Sequence, residues 1–270
     1  MSVQVERNGA VTTIINDRIN ARNAVDPDTA AALTDAFLAF DDDPGAKVAV
    51  FYGHGGAFCA GWDLKYASTL SDRERFHAEI TERLGFPMGA APAPRGPMGP
   101  SRLELSKPVI AAVEGPAVAG GMELAMWCDM RVMAEDAYFG VYCRRWGIPL
   151  LDGGTVRLPR LVGFGRAMDI ILTGRQVMAE EALRIGLCER IVPRGSARTV
   201  AEALAQSIAR FPQAALRADR RSAYEGFGLP VRAALKGEWA SGVEAHWLEG
   251  AAGAGRFASG LGRSGDFSKI

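Results

Sequence analysis

The sequence is short of what several function classes require. It has no net charge: 31 Lys and Arg residues balance 31 Asp and Glu. Without a positive excess there is no electrostatic footprint for a polyanion, so no nucleic-acid partner is expected. Histidine is scarce. His54, His77 and His246 lie far apart and show no metal-ligand spacing, so no metal is expected. The four cysteines, Cys59, Cys128, Cys143 and Cys188, contain no C-x-x-C pair. That excludes both a zinc framework and a disulfide scaffold, and it fits a reducing cytoplasm. No apolar run reaches the roughly 20 residues that cross a bilayer. The chain opens on a strand-like pattern rather than the apolar segment of a signal peptide. A cytoplasmic protein with no membrane partner is the expectation.

What is present is apolar sequence in ordinary globular proportion, 48% hydrophobic against 23% charged residues. Val3 and Val5, then Asn8-Gly9, then Val11 to Ile15 predict a β-hairpin, because Asn-Gly supplies its tight turn. Asp26-Pro27 predicts a helix start, followed by Leu33, Phe37 and Phe40 at helical spacing. Val48 to Tyr52 reads as a buried strand, and 72–84 as a helix. Residues 85–101 are crowded with Gly, Pro and Ala, and read as either a lid over a site or a plain connector. Val109 to Val113 predicts a buried strand, and Gly115-Pro116 a turn. Met130 to Met133, Tyr138 to Tyr142 and Leu187 to Val192 read as short strands. Helices are expected from Gly153-Gly154-Thr155, over Ala167 to Leu172 and Ala179 to Ile185, and over Ser196 to Phe211. From Pro212 the strand signal stops and helical patterns run to about Ala252, followed by a Gly-rich tail. The division expected is a mixed α/β core over 1–205 and a helical region with its tail over 206–270.

Two glycine-rich strand-to-helix turns carry the chemistry, one at Gly61-Trp62 and one at Gly120-Gly121. Helix N-termini present unpaired N–H groups, and the helix dipole favours negative charge there. Glycine removes the Cβ that blocks close approach. Two such turns can aim two N–H groups at one oxygen, which is the geometry of an oxyanion hole. Neither turn matches a phosphate loop or a dinucleotide fingerprint. Taken singly, each also reads as a tight turn in an α/β core. Glu123 lies one helical turn after Gly120, among Met, Leu and Ala. A carboxyl buried there has a raised pKa and suits acid–base work.

Together these turns resemble the enoyl-CoA hydratase/isomerase (crotonase) superfamily. The matching pieces are Ala57-Phe58-Cys59-Ala60-Gly61-Trp62-Asp63-Leu64-Lys65, Ser106 to Gly115, Ala119 to Ala125, Cys128-Asp129 and Phe139-Gly140. Gly153-Gly154-Thr155, Leu158 to Gly163 and Thr173-Gly174-Arg175 continue the match. The resemblance implies a spiral of ββα turns with a C-terminal helical trimerisation region, in a homotrimer or homohexamer. It implies an acyl-CoA thioester as ligand and no separate cofactor, since coenzyme A arrives as part of the substrate. It places the thioester oxygen between the N–H groups of Trp62 and Gly120, with Glu123 as the first catalytic glutamate. Ala60, Gly61, Lys65 and Gly121 are implied around the bound CoA thioester, with Lys65 near its phosphates and the Ala60 backbone near adenine.

The chain departs from the hydratase pattern at one place. The second glutamate expected after Phe139-Gly140 is Cys143, which is left as a pocket residue. A thiol cannot replace a carboxylic acid near neutral pH without a strongly shifted pKa. Asp152 follows in Leu150-Leu151-Asp152-Gly153-Gly154. It is either a second acid/base group or the cap of the next helix, and the cap is the favoured reading. The expected activity is hydration of a 2-enoyl-CoA in acyl-CoA metabolism. The alternatives are double-bond isomerisation by a single carboxylate, and acyl-CoA binding with little catalysis.

Overall fold

The Asn8-Gly9 turn closes the expected hairpin. In the computed structural model, which describes residues 2–86 and 95–263, β1 (Val3–Asn8) pairs antiparallel with β2 (Val11–Asn16). Asp26 then caps α1 (Pro27–Asp42), its side chain accepting the Thr29 N–H at 2.9 Å. The next elements are β3 (Val48–Gly53), α2 (Leu64–Ser68) and α3 (Arg73–Phe76), and α3 continues into a wider π turn over His77–Glu82. The central segment holds β4 (Val109–Val113), β5 (Pro116–Val118), α4 (Gly120–Trp127), β6 (Met130–Ala134) and β7 (Tyr138–Gly140). It is followed by α5 (Gly154–Val162), α6 (Phe164–Thr173), β8 (Gln176–Met178), α7 (Ala179–Ile185) and β9 (Arg190–Val192). Helices α8 (Ala197–Ala209), α9 (Gln213–Gly226), α10 (Val231–Ala245) and α11 (Ala251–Ala258) complete the described chain.

The main sheet has six strands in the order β1-β2-β3-β4-β6-β9, parallel except for the opening hairpin. A second sheet joins β5, β7 and β8. Parallel strands are normally covered on both faces, which is why these read as near-continuous apolar runs. On one face Val11, Val48, Val50, Ile110 and Val132 meet the alanine stripe Ala197, Ala201, Ala205 and Ala209 of α8. On the other, Ile14, Phe51, Ala111 and Met133 join the larger core beneath α1 and α4. The buried Glu114 seats α8 by accepting the Ala197 and Gly195 N–H groups at 2.9 and 3.1 Å.

Several local expectations needed correction. The strand at Tyr138 stops at Gly140 rather than Tyr142, because the chain turns at Val141 (φ −87, ψ 61) and curls into a 3-10 turn over Tyr142–Trp146. The run from Leu187 becomes a strand only at Arg190. Gly186 ends α7 in the left-handed region, and the Leu187 and Cys188 N–H groups fold back onto Ala182 O. Gly115 turns the chain at φ 57, but Pro116 already belongs to β5. β5 and β8, three residues each, are too short to show a period in sequence. Part of the 85–101 stretch, residues 87–94, lies outside the described residues.

One glycine in the core is set by close approach. A Cβ on Gly121 would collide with the Cys59 carbonyl. Gly121→Ala is therefore expected to cost about 1–3 kcal/mol of stability by overpacking. Gly165→Ala in α6, where nothing lies within 4 Å, is expected to be neutral or slightly stabilising. Thermal denaturation of the two variants beside the parent protein reads the contrast, and equal melting points would refute it.

Candidate active site

The two glycine turns meet in space. The stretch before Trp62 is held by a parallel bridge to Val25, in which Val25 N–H donates to Gly61 O and Asp63 N–H to Val25 O, at 2.8 and 2.9 Å. Peptide groups alternate direction along an extended chain, so the Trp62 N–H points away from Val25. Asp63 then caps α2 by accepting the Lys65 and Tyr66 N–H groups, and Arg18 ties Asp63 to Asp26 at 2.9 and 3.0 Å. The buried Asn23, in the left-handed region at φ 58, holds the preceding loop by donating to His54 O and Ala57 O. On the other turn, Ala119 adopts φ 54 and ψ −124, a conformation costly for any residue with a Cβ. The strain sits directly before Gly120, the first residue of α4. A Cβ placed on Gly61 would lie 3.1 Å from Gly120 N and 3.0 Å from Val118 O. Among the described residues, neither the Trp62 N–H nor the Gly120 N–H has an acceptor.

Both turns open on a cavity of about 320 Å³. Trp62, Phe76, Tyr142, Trp146 and Met98 form much of its apolar wall, with Phe76, Trp146 and Leu151 partly in solvent at its mouth. Glu123, Asp152, Cys143, Gly120 and Ala60 line it too. Six residues named from sequence thus converge: Trp62, Gly120, Glu123, Asp152, Cys143 and Ala60. Gly61 and Gly121 lie behind the wall, where the two turns touch, and Lys65 stands exposed on α2.

Asp152 does not cap α5. Gly153 occupies the cap position, and the N-terminus of α5 is held from outside by Glu123 Oε1, which accepts the Asp152 and Gly154 N–H groups at 2.9 and 2.7 Å. The Asp152 side chain turns the other way. Its Oδ1 accepts the Met98 N–H at 2.9 Å and the Ser101 hydroxyl. The Gly-Gly sequence misled here because a short side chain before it normally bonds its own helix. Ser101, Met98 and Arg157 were missed altogether: their contribution depends on contacts about 50 residues away in the chain.

Both carboxyls are raised. Burial, then the neighbouring charge of Asp152, pushes Glu123 up to about 8, against the pull of the Gly154 and Asp152 N–H groups. Asp152 is raised by burial, opposed by Ser101, Met98 N–H, Arg102 and Arg157. Two buried carboxylates this near resist joint ionisation, so the pair titrates as a unit. Burial and the Glu123 charge also raise the Cys143 thiol, which stays neutral. Among the described residues no cluster of His, Cys, Asp and Glu could hold a metal ion.

The raised Glu123 makes stability depend on pH. Its folded pKa lies above the unfolded value, so the folded state binds the proton more tightly between the two. The contribution is complete below the unfolded carboxyl pKa and is lost as pH rises through about 8. Glu123→Gln keeps the acceptor and cannot ionise. It should melt higher than the parent at alkaline pH, with the gap closing in mild acid. Parallel melting curves across pH would contradict this.

Comparison with known proteins agrees with this geometry. The sequence model described as Enoyl-CoA hydratase/isomerase matches residues 6–84 and 101–238. The chain is 35% identical over 247 residues to Enoyl-CoA hydratase EchA19 of Mycobacterium tuberculosis, covering 89% of this chain and 86% of the relative. It is 40% identical over 213 residues to Carnitinyl-CoA dehydratase of Salmonella paratyphi A, covering 77% and 74%. A crystal structure of enoyl-CoA hydratase from Mycobacterium tuberculosis H37Rv superposes with a TM-score of 0.83 at 32% identity, over 96% of each chain. The fold is therefore the crotonase fold, and the chain belongs to the enoyl-CoA hydratase/isomerase family.

Proposed function

We propose that the chain is a 2-enoyl-CoA hydratase, a hydro-lyase that adds water across the α,β double bond of an acyl-CoA thioester. The observation that carries this reading is the convergence of two buried carboxylates and two free backbone N–H groups on one apolar cavity. The thioester oxygen takes the Trp62 and Gly120 N–H groups, which stabilise the enolate where its charge develops. Near neutral pH the carboxyl pair keeps one proton. Its ionised member takes a proton from water as the oxygen attacks C3, and its protonated member delivers a proton to C2. The pair ends with one proton, as it began. Hydration and dehydration are two directions of one reaction, so relatives named for either support the same chemistry.

This chemistry asks for an acid, a base and oxyanion donors, with coenzyme A carried in by the substrate, so no further cofactor is invoked. Lys65 is assigned to the CoA phosphates and the Ala60 backbone to the adenine end. Cys143, as a neutral thiol, forms part of the acyl wall. The isomerase alternative drew its motive from a single carboxylate, and Asp152 in the same cavity weakens that motive. Exposed Val231, Trp239 and Trp247 on the C-terminal helices suit burial in a homotrimer or homohexamer. The free cysteines, all buried, suit a cytoplasmic setting. No helix among the described residues is long and apolar enough to cross a membrane.

Steady-state hydration of short, long and bulky 2-enoyl-CoA thioesters tests the reading. Glu123→Gln and Asp152→Asn should each lower kcat by about 10²–10⁴-fold. Lys65→Ala should raise KM several-fold with little change in kcat, since it loses only binding. Absence of hydration on every thioester, or full activity in either amide variant, would sink it.

A further inference from the structure

We infer that Ser101 is the positioning residue that divides the acid and base roles between the two carboxyls, making Asp152 the base and Glu123 the acid. The inference rests on the hydration reading and says which carboxyl plays which part.

The device is a short clasp over residues 96–101. Gly96 and Gly99 exchange N–H···O bonds, each 2.9 Å. The turn between them points the Met98 N–H at Asp152 Oδ1, and Ser101 donates its hydroxyl proton to the same oxygen. Arg157 fixes both ends of that contact. Its Nη2 donates to Ser101 O and its Nη1 to Asp152 O, both at 2.8 Å. The guanidinium fork is planar and rigid, so the two backbones are held at a set separation. Ser101 is fully buried and does not line the cavity. It acts on the reaction only through Asp152.

Counting donors shows why the hydroxyl decides the matter. Glu123 Oε1 accepts two backbone N–H groups. Asp152 Oδ1 accepts one backbone N–H and the Ser101 hydroxyl. The groups facing the pair are Arg102 beside the clasp, Arg157 from α5, Cys59 from the first glycine turn, and Cys143 beside Glu123. Arg157 faces both carboxyls, whereas Arg102 favours Asp152. With the hydroxyl in place the donors are even and Arg102 tips the negative charge to Asp152. Without it, Asp152 keeps one donor against two on Glu123, and the charge moves to Glu123. A hydrogen bond to an ionised oxygen is among the stronger kind, so one donor is enough to move the balance.

Gly96 is a second, independent mark of the same device. A Cβ there would collide with both Ser101 Oγ and Asp152 Oδ1. The backbone of Gly96 therefore lies directly against the Ser101–Asp152 contact, where any side chain would displace it. The clasp also reaches the oxyanion hole, since a Cβ on Gly120 would lie 2.6 Å from Met98 Sδ. One turn of chain thus sets the spacing of the base and of an oxyanion donor.

The test follows the side-chain carboxyl carbons of Asp152 and Glu123 by 13C NMR across pH, in the parent chain and in Ser101→Ala, with melting curves to confirm folding. In the parent, Asp152 ionises first. In Ser101→Ala, Glu123 ionises first, and the acidic limb of kcat/KM moves up by about one pH unit, as loss of one charge-assisted donor requires. KM stays within about twofold, because Ser101 is outside the cavity. Should the alanine variant not fold, Ser101→Cys keeps the size with a weaker donor, and half-way movement of the same limb is expected. An unchanged order of ionisation with an unshifted limb, in whichever variant folds, overturns the inference. The hydration reading fails separately, through full activity of Asp152→Asn, and the NMR titration still reads the effect of Ser101 in that event.

Discussion

The pair of backbone hydrogen bonds that Glu123 accepts from Asp152 and Gly154 ties the active region together. Glu123 sits in the first turn of α4, which begins at Gly120, whose N–H has no acceptor among the described residues. The N–H groups it accepts belong to the start of α5. A single buried carboxyl therefore fastens the helix that opens on the Gly120 turn to the helix that begins beside the second carboxyl. The bonds serve two ends at once. They satisfy N–H groups that a helix start leaves open, and they hold one oxygen of Glu123 so that its carboxyl faces the cavity in one orientation.

The same economy appears where the two glycine turns touch. Gly61, Gly120 and Gly121 lie where any side chain would meet backbone or Met98. Removing those side chains lets two strand ends approach until two N–H groups share one cavity. The cost is local. Ala119 is left in a strained conformation immediately before Gly120. Strain held by the surrounding core keeps donors aimed without reorganisation when charge develops on the ligand, which is where preorganised dipoles gain most over water. The core that holds it is the apolar layer of Phe51, Phe58, Ala111 and Met122 beneath both turns.

The electrostatics follow from burial rather than from an unusual set of residues. Glu123 and Asp152 are ordinary carboxyls placed where water cannot solvate two charges. That constraint makes the pair hold a proton near neutral pH, so that under the proposed hydration one carboxyl can deliver a proton to C2 while the other takes one from water. In the proposed hydration the cysteine at the position of the usual second glutamate then leaves no gap. Asp152, reaching in from just before the next helix, places a second carboxyl in the same cavity, and Cys143 lines its wall.

Much of this was readable in the linear chain. Asn8-Gly9 implied the hairpin, and Asp26-Pro27 the capped helix. The glycine turns at Gly61 and Gly120, with Glu123 one helical turn on, implied an oxyanion-hole geometry beside a carboxyl, because backbone geometry and helix period act over a few residues; the thioester itself came only with the family resemblance. The strands β5 and β8 were not readable, since three residues carry no period and their pairing is made by distant partners. Nor was the orientation of Asp152. Its neighbours in sequence favour a cap, whereas its actual partners, Met98 and Ser101, lie about 50 residues earlier in the chain. Read along the chain, the residues announce which groups are at hand, namely two glycine turns and the carboxyls of Glu123 and Asp152. Only the tertiary structure decided which carboxyl bonds to which donor, because hydrogen bonding in a dry interior depends on separations that folding alone establishes.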